Sequence, residues 1–344
     1  MTHSDIAATL VGCWHPERVS AADGRYAPSP TGPLHLGNLR TALLAWCFAR
    51  SRSGRFLLRI EDLDPQRSRP EHEAAMLADL ARLGIDWDGA PTRQSEQLEH
   101  HRAAFEALRS TGRSYRCWCT RAEIREAAQA PHPRPGAPGG SEGFYPGTCR
   151  TLSARERAER ERAGRPAAWR LDARAERIAF EDRLSGAADA VVDDFVIWRG
   201  DPQGPVGGPA YNLAVVVDDA AAGIGEVVRG DDLLETTPRQ ILLGRLLGLP
   251  APRYAHVPLV LGADGRRLAK RHGAVTLDDR LALGDSVATI VGWMASSVGL
   301  ADPGCPLSAG EVLAMFDPAR LRREPTVWTD AGLGQPPPAR SRRP

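Results

Sequence analysis

Lysine is almost missing from this 344-residue chain: of its 44 basic side chains, one, Lys270, is lysine and the others are arginine. Aromatic side chains are also scarce, at 6%, and no apolar run approaches the roughly 20 residues that a membrane-spanning helix needs. The sequence therefore predicts a protein without a membrane partner. Its net charge of +1 excludes binding of nucleic acid through bulk positive charge alone, although arginines can still form local basic patches.

The marks of secretion are absent as well. The N-terminal segment lacks a basic start, a long apolar core and a small-residue cleavage site. Three of the six cysteines (Cys13, Cys47 and Cys305) are isolated, and the other three lie between residues 117 and 149. In a chain without a secretion signal, this distribution favours free thiols and a metal site over disulfides, and it predicts a cytoplasmic location.

Strand and helix patterns alternate along the first 112 residues. Residues 24–50 predict a short strand, a loop stiffened by proline and glycine, and an apolar helix from about Leu36. Residues 55–64 predict a strand that ends in carboxylates, and residues 70–84 and 95–112 predict helices. This alternation predicts an α/β fold with a parallel sheet, whose ligands bind at the carboxyl ends of the strands.

The pattern returns in the second half of the chain. Residues 225–234 predict a strand that ends at Arg229, and residues 236–248 predict a helix that ends at a glycine. The apolar run YNLAVVVDD at 211–219 fits either a strand or a helix. Alternating Arg and Glu over 151–177 favour a solvated helix over an RNA-binding one, and residues 276–330 predict helices. The Pro/Gly-rich segment 130–141 predicts a mobile loop.

The lone lysine raises the question of phosphate chemistry. Arginine carries a planar, forked guanidinium, whereas lysine carries a compact charge on a flexible stem. A site where a phosphate is transferred is one that requires lysine. The loop before the first helix, APSPTGPLHLGN, supplies Gly32 and Gly37 for close backbone approach and His35 at a helix start, where free N–H groups favour an anion. The loop is neither a Walker A loop nor a G-x-G-x-x-G loop. Taken alone it fits a phosphate site and a stiff turn equally well.

A metal site is predicted in the region YRCWCTR...GFYPGTCR. Cys117 and Cys119 can share one tetrahedral zinc ion, and Cys149 can supply a third thiolate. The spacing leaves the fourth ligand open between Tyr145 and His132. Buried unpaired thiols are the alternative.

Two motifs together identify a family. HLGN (35–38) resembles the HIGH signature of class I aminoacyl-tRNA synthetases, and RLAKR (267–271) resembles their KMSKS signature, in the same order. The blocks RYAPSPTGPLHLGNLRTAL, RIEDLD, YNLAVVVDD, VVRGDDLLETTPRQILL and HVPLVLGADGRRLAKRHG resemble the glutamyl branch and span about residues 25–275. The chain departs from the general signatures at Asn38, Arg267 and Ala269.

The resemblance implies an activity and a set of site residues. Members activate glutamate with ATP and Mg²⁺, so negative charge that grows on the phosphates must meet donors held in place. The implied catalytic residues are His35, Lys270 and Arg271, and the implied ATP-binding residues are His35, Gly37, Asn38 and Lys270. Arg25, Tyr211 and Arg229 are implied at the side chain of glutamate, and Ser29 and Glu61 at its backbone end, since arginine pairs bidentately with carboxylates. The implied ligands of a structural Zn²⁺ are Cys117, Cys119, Tyr145 and Cys149.

The C-terminal part of the sequence refines the resemblance. Only 74 residues follow Lys270, which leaves room for a short stem-contact region but not for a helical anticodon-binding domain. The chain therefore resembles the truncated glutamyl-queuosine tRNA(Asp) synthetases, whose partners are ATP, L-glutamate and tRNA(Asp) carrying queuosine. This resemblance also implies that the protein is a monomer. A minimal glutamyl-tRNA synthetase and a catalytically silent paralogue that binds nucleotide or RNA are the alternatives. Retention of His35, Glu61 and Lys270 argues against the silent paralogue.

The predicted fold is a Rossmann-type parallel sheet with an inserted domain and no anticodon-binding domain. Its predicted parts are an N-terminal extension (1–22), the first half of a Rossmann-type nucleotide-binding domain (23–112), an inserted zinc-binding domain like an acceptor-end domain (113–190), the second Rossmann half (191–262), a KMSKS-like loop with a helical stem-contact region (263–333), and a disordered tail (334–344).

Overall fold

The computed structural model describes residues 20–329 except 121, 125–144 and 203–206, together with Leu333. The predicted mobile loop, the candidate ligand His132, the predicted tail and nearly all of the predicted N-terminal extension lie outside the described residues.

The described part of the chain contains both helices and strands. The strands are β1 (Gly24–Tyr26), β2 (Phe56–Ile60), β3 (Thr92–Arg93), β4 (Ser114–Cys117), β5 (Ala168–Leu171), β6 (Arg177–Asp182), β7 (Gly186–Val191), β8 (Phe195–Gly200), β9 (Gly207–Pro209), β10 (Glu226–Gly230), β11 (Arg253–Val257), β12 (Val260–Leu261) and β13 (Thr326–Val327). The helices are α1 (Leu36–Arg50), α2 (Pro70–Arg82), α3 (Leu98–Ser110), α4 (Ala154–Arg162), α5 (Tyr211–Ala221), α6 (Thr237–Leu247), α7 (Leu277–Ala282), α8 (Val287–Ser297) and α9 (Ala309–Ala314). Within that part of the chain, no helix is both long enough and apolar enough to cross a bilayer.

A parallel arrangement of five strands forms the centre of the fold, as predicted. β1 pairs with β2, β2 with β3, and β10 with β11, all in parallel. The two groups meet where the backbone N–H groups of Gly225 and Glu226 both donate to the carbonyl oxygen of Asp23, at 3.0 Å. The resulting order, β3-β2-β1-β10-β11, brings the carboxyl ends of β1, β2 and β10 to one edge of the sheet.

Helix α1 connects β1 to β2 and is buried on almost every side. Its apolar residues join one core with residues of α2, α8 and α9, which explains why its sequence shows little amphipathic pattern. Arg40 is the exception in this core, because it is a charged residue that is only 1% exposed. It donates to the carbonyl oxygen of Pro258, to Ser297 Oγ (3.0 Å) and to Thr326 Oγ1 (2.8 Å), and so attaches α1 to the C-terminal region.

A second, antiparallel sheet of order β4-β5-β8-β9 packs on α3. Phe105 of α3 contacts Trp169 of β5 and Trp198 of β8, with ring centroids 5.5 and 5.1 Å apart. The hairpin of β6 and β7 pairs instead with β11 through Asp182 and Tyr254. The pairs β5–β8 and β6–β11 thus join residues on the two sides of the domain boundary predicted at 190/191. The predicted division into domains stays a prediction.

Two predictions from local pattern were wrong or incomplete. The helix expected over 151–177 is limited to α4, because Gly164 adopts a left-handed conformation (φ 69°) and the apolar residues that follow form β5. The region 276–330 contains three short helices, but it also contains β13, which pairs with β12. The ambiguous run at 211–219 is helical and forms most of α5.

Candidate active site

A cavity of about 610 Å³ lies at the carboxyl edge of the parallel sheet. The ends of β1, β2 and β10 and the first turns of α1 and α5 line it. Eight of the predicted site residues lie on its wall: Arg25, Ser29, His35, Gly37, Asn38, Glu61, Tyr211 and Arg229. These residues are spread over about 200 positions of sequence, and the parallel order of the strands brings them together.

His35 caps the N-terminus of α1. Its Nδ1 accepts from the backbone N–H of Asn38 (3.2 Å), and the side-chain oxygen of Asn38 accepts from the backbone N–H of His35 (3.4 Å). Burial, reinforced by the nearby Arg267 and His272, lowers the pKa of His35 from 6.5 to about 4. The ring is therefore neutral at pH 7, and since Nδ1 is an acceptor, the proton is on Nε2.

Gly37 leaves space for this histidine. A Cβ atom at position 37 would lie 3.1 Å from two atoms of the His35 ring and 3.2 Å from Val260 Cβ, closer than ordinary contacts. A glycine two residues after the histidine thus allows the ring to pack against the start of the helix.

The loop that carries the lone lysine is only partly directed into the cavity. Arg267 lines the cavity and donates from Nη1 to Asp232 Oδ2 (2.8 Å). Lys270 and Arg271 begin a one-turn 3₁₀ helix, are exposed, and are not on the cavity wall. Lys270 makes no ion pair with any described residue, and Arg271 Nε lies 3.6 Å from Asp264. The structure therefore does not bring these two predicted catalytic residues to the other eight.

A buried network of charges underlies the strand ends. Arg25 makes two hydrogen bonds to the carboxylate of Asp219, at 3.1 and 3.2 Å, and Arg59 bonds to the same carboxylate and to Glu61 (3.3 Å). Burial alone would raise the pKa of Asp219, but the two arginines hold it below its usual value. Burial raises the pKa of Glu61 in spite of both arginines. The sequence interpretation missed Arg59 and Asp219, and the only signal for Arg59 is a charge inside an apolar strand.

Arg229 is held differently. The residue is 5% exposed, and its guanidinium donates to His256 Nε2 (3.1 Å), Gln240 Oε1 (2.8 Å) and Thr237 Oγ1 (2.8 Å). No carboxylate among the described residues forms an ion pair with it. A buried, uncompensated positive charge thus stands at the cavity wall, where a carboxylate ligand would be strongly favoured.

The three predicted cysteines lie together at the end of β4. The Sγ atoms of Cys117, Cys119 and Cys149 all lie within 4.8 Å of one another. The hydroxyl oxygen of Tyr145 is 3.3 Å from Cys117 Sγ and 3.7 Å from Cys119 Sγ. Sulfur ligands about 2.3 Å from a tetrahedral zinc ion are about 3.8 Å apart, so the three sulfur atoms fit such a site.

One cation lies beside the cysteine cluster. Arg170 Nε donates to Cys117 Sγ (3.2 Å), and its guanidinium lies 3.8 Å from the centre of the Tyr145 ring. Hydrogen bonds from the other two thiols, together with Arg170, lower the pKa of Cys117. Hydrogen bonds with Cys117 and Cys149 raise the pKa of Cys119, so the contacts favour a thiolate at Cys117 and a thiol at Cys119 when no metal ion is bound.

Comparison with known proteins places this geometry in a family. Residues 22–290 match the family described as tRNA synthetases class I (E and Q), catalytic domain. The chain is 57% identical over 315 residues to a glutamyl-Q tRNA(Asp) synthetase of Nocardia farcinica, covering 91% of this chain and 95% of the relative. It is 49% identical to the protein of that name from Symbiobacterium thermophilum, covering 88% and 94%.

A solved structure of a glutamate tRNA ligase is similar to this fold. The crystal structure of a glutamate tRNA ligase from Elizabethkingia meningosepticum in complex with its amino acid superposes with a TM-score of 0.69 at 27% identity. The match covers 87% of this chain but 65% of that one, so the chain spans slightly less than two thirds of the larger protein. From sequence and structure alike, the chain belongs to the class I tRNA synthetase family of the glutamate and glutamine branch, a family of ligases.

Proposed function

We propose that this chain activates L-glutamate with ATP to glutamyl-adenylate without tRNA, and then transfers the glutamate to the queuosine base of tRNA(Asp). The observation that carries the proposal is the uncompensated guanidinium of Arg229 on the wall of a cavity that His35 and the start of α1 also line. The names of the two relatives given above favour this acceptor over the 3′ end of a tRNA.

The cavity divides into an amino-acid end and a phosphate end. In the proposed complex the side-chain carboxylate of glutamate binds Arg229 and Arg25 near Tyr211, and the ammonium group binds Glu61 and Ser29. The guanidinium groups of arginine match a carboxylate in charge and geometry. The partly buried carboxylate of Glu61 gains the ammonium group of the ligand as a cation, which offsets the cost of burying Glu61.

At the phosphate end, a carboxylate oxygen of glutamate attacks the α-phosphorus of ATP, and the bond to pyrophosphate breaks. His35 donates from Nε2 to a phosphate oxygen, and the N-terminus of α1 adds the N–H groups around Gly37 and Asn38. Lys270 reaches the pyrophosphate only if its loop moves toward the cavity, with Arg271 beside it and Mg²⁺ on the phosphates. Lys270 is exposed and makes no ion pair with a described residue, which leaves it available for this movement.

We assign a structural role to the cysteine cluster. Cys117, Cys119, Tyr145 and Cys149 would hold one zinc ion, and Arg170 would balance the negative charge of the thiolates. When bound, zinc cross-links β4 to the segment at 145–149 and stabilises the fold of the inserted region.

The test is glutamate-dependent exchange between ATP and labelled pyrophosphate, with Mg²⁺ and without RNA. We expect exchange with glutamate and none with glutamine or aspartate, and we expect an Arg229→Gln variant of unchanged melting temperature to lose it. Labelled glutamate should then transfer to tRNA(Asp) that carries queuosine, and not to the same tRNA without that base.

Each other result selects a rival. Exchange that requires tRNA(Glu) would indicate a minimal glutamyl-tRNA synthetase. No exchange under any of these conditions would indicate a silent paralogue that binds nucleotide or RNA.

A further inference from the structure

The acceptors around Arg229 are all neutral, which sets it apart from the other arginines of the cavity wall. Arg25 is paired with Asp219, and Arg267 is paired with Asp232. Arg229 has no such partner in the described part of the chain. A guanidinium has five N–H donors, and three of those on Arg229 are used, so one remains on each of Nη1 and Nη2.

Further hydrogen bonds fix the orientation of each neutral acceptor. The amide nitrogen of Gln240 donates to Asn212 Oδ1 (3.1 Å), and this directs Gln240 Oε1 toward Arg229. The hydroxyl oxygen of Thr237 lies 3.1 Å from both the carbonyl oxygen of Leu233 and His256 Nε2, so its proton has a partner and its lone pairs face Arg229.

His256 is fixed in the same way by Asp182. The carboxylate of Asp182 accepts from His256 Nδ1 (2.6 Å), and both side chains are fully buried. With its proton on Nδ1, the imidazole presents a bare Nε2 to Arg229. The ring also keeps the negative charge of Asp182 one residue away from the guanidinium.

We propose that the neutrality of Gln240, Thr237 and His256 underlies the selection of a carboxylate side chain over an amide, because none of the three compensates the charge of Arg229. Asp182 acts as a positioning residue through His256. The inference rests on the proposed function for the identity of the amino acid. A ligand with a carboxylate supplies the missing charge through two charge-assisted bonds, whereas glutamine would leave the buried charge uncompensated.

The test compares Gln240→Glu with Gln240→Met in the full-length protein. Both variants remove the amide, but only glutamate adds a negative charge within hydrogen-bond distance of Arg229. In pyrophosphate exchange we expect Gln240→Glu to raise the KM for glutamate about 30-fold or more, and Gln240→Met to raise it no more than about fivefold, with kcat within about threefold in both. The preference for glutamate over glutamine in kcat/KM should fall at least about tenfold in Gln240→Glu alone.

Stability and a second variant complete the test. Gln240→Glu should melt no lower than Gln240→Met, because its new carboxylate pairs with Arg229 in the free protein. Thr237→Val removes an acceptor without adding charge, so the preference for glutamate over glutamine should stay within about threefold of the wild type.

The outcomes separate the two proposals. Three results would overturn this inference: equal KM values for glutamate in Gln240→Glu and Gln240→Met, a Gln240→Glu protein less stable than Gln240→Met, or a tenfold loss of the preference for glutamate in Thr237→Val. The proposed function would still stand if the wild type catalyses glutamate-dependent exchange. A wild-type protein without glutamate-dependent exchange would overturn both.

Discussion

The neutral state of His35 should make the stability of the protein depend on pH in a predictable direction. Its pKa is about 4 in the folded chain, against 6.5 for an unperturbed histidine. Between these values the unfolded state binds a proton that the folded state does not, so the free energy of unfolding falls as the pH falls. From pH 7 to pH 5, linkage with these two pKa values gives a loss of about 1.8 kcal/mol from this one residue.

The variant His35→Asn isolates this contribution. Asparagine is a good N-cap residue and can accept from the same backbone N–H of Asn38, but it does not titrate. All other groups titrate in both proteins, so the difference between them belongs to position 35. We expect the wild type to lose about 1.8 kcal/mol more than His35→Asn between pH 7 and pH 5.

The assay is urea unfolding followed by circular dichroism at pH 7, 6 and 5, with both proteins in the same buffers. Equal slopes of unfolding free energy against urea would show that the variant unfolds to a comparable state. If the two proteins lose the same stability within about 0.5 kcal/mol, burial in the cavity does not lower the pKa of His35.

Two further predictions concern the lone lysine and the cysteine cluster. Lys270→Arg should lower kcat for pyrophosphate exchange at least about tenfold, because a planar guanidinium replaces the compact charge of an exposed lysine, and its melting temperature should stay within about 2 °C of the wild type. The control variant Arg266→Lys should leave the rate unchanged. Equal rates for the wild type and Lys270→Arg would refute the role of the lysine. Elemental analysis of the purified protein should find about one zinc ion per chain. The Cys305→Ser variant should retain the zinc, whereas Cys119→Ser should lose it and melt at a lower temperature. Equal metal content in the two variants would exclude the cysteine cluster as the zinc site.

The parallel sheet follows from local pattern and from one general rule, and the resemblance to class I synthetases implies most of the residues found on the cavity wall. The apolar run at 36–50, the strand that ends at Arg229 and the strand that ends in carboxylates near Glu61 are visible without knowledge of any contact. In a parallel sheet the carboxyl ends meet, so residues far apart in sequence are expected in one crevice.

The remaining features depend on contacts that no local pattern records. Arg59 and Asp219 are 160 residues apart, and neither stands in a motif that predicts a partner. The neutral surroundings of Arg229 depend on α6, β11 and β6 together. The strand β5 was mistaken for helix because Arg and Glu dominate the preceding residues, whereas the burial of Leu171 and the packing of Trp169 decide its structure.

The hydrogen bonds of Arg40 bear on how this protein can be divided. The matched family region ends at residue 290, yet two of the three groups that accept from this core guanidinium, Ser297 and Thr326, lie after that point. A recombinant fragment cut at residue 290 would retain this guanidinium with two of its three acceptors removed, and a buried polar group that loses its partner typically costs about 1–3 kcal/mol, or more when it is charged. We therefore expect a stable fragment to extend at least to Thr326, because residues 291–326 supply two of the acceptors of this buried guanidinium.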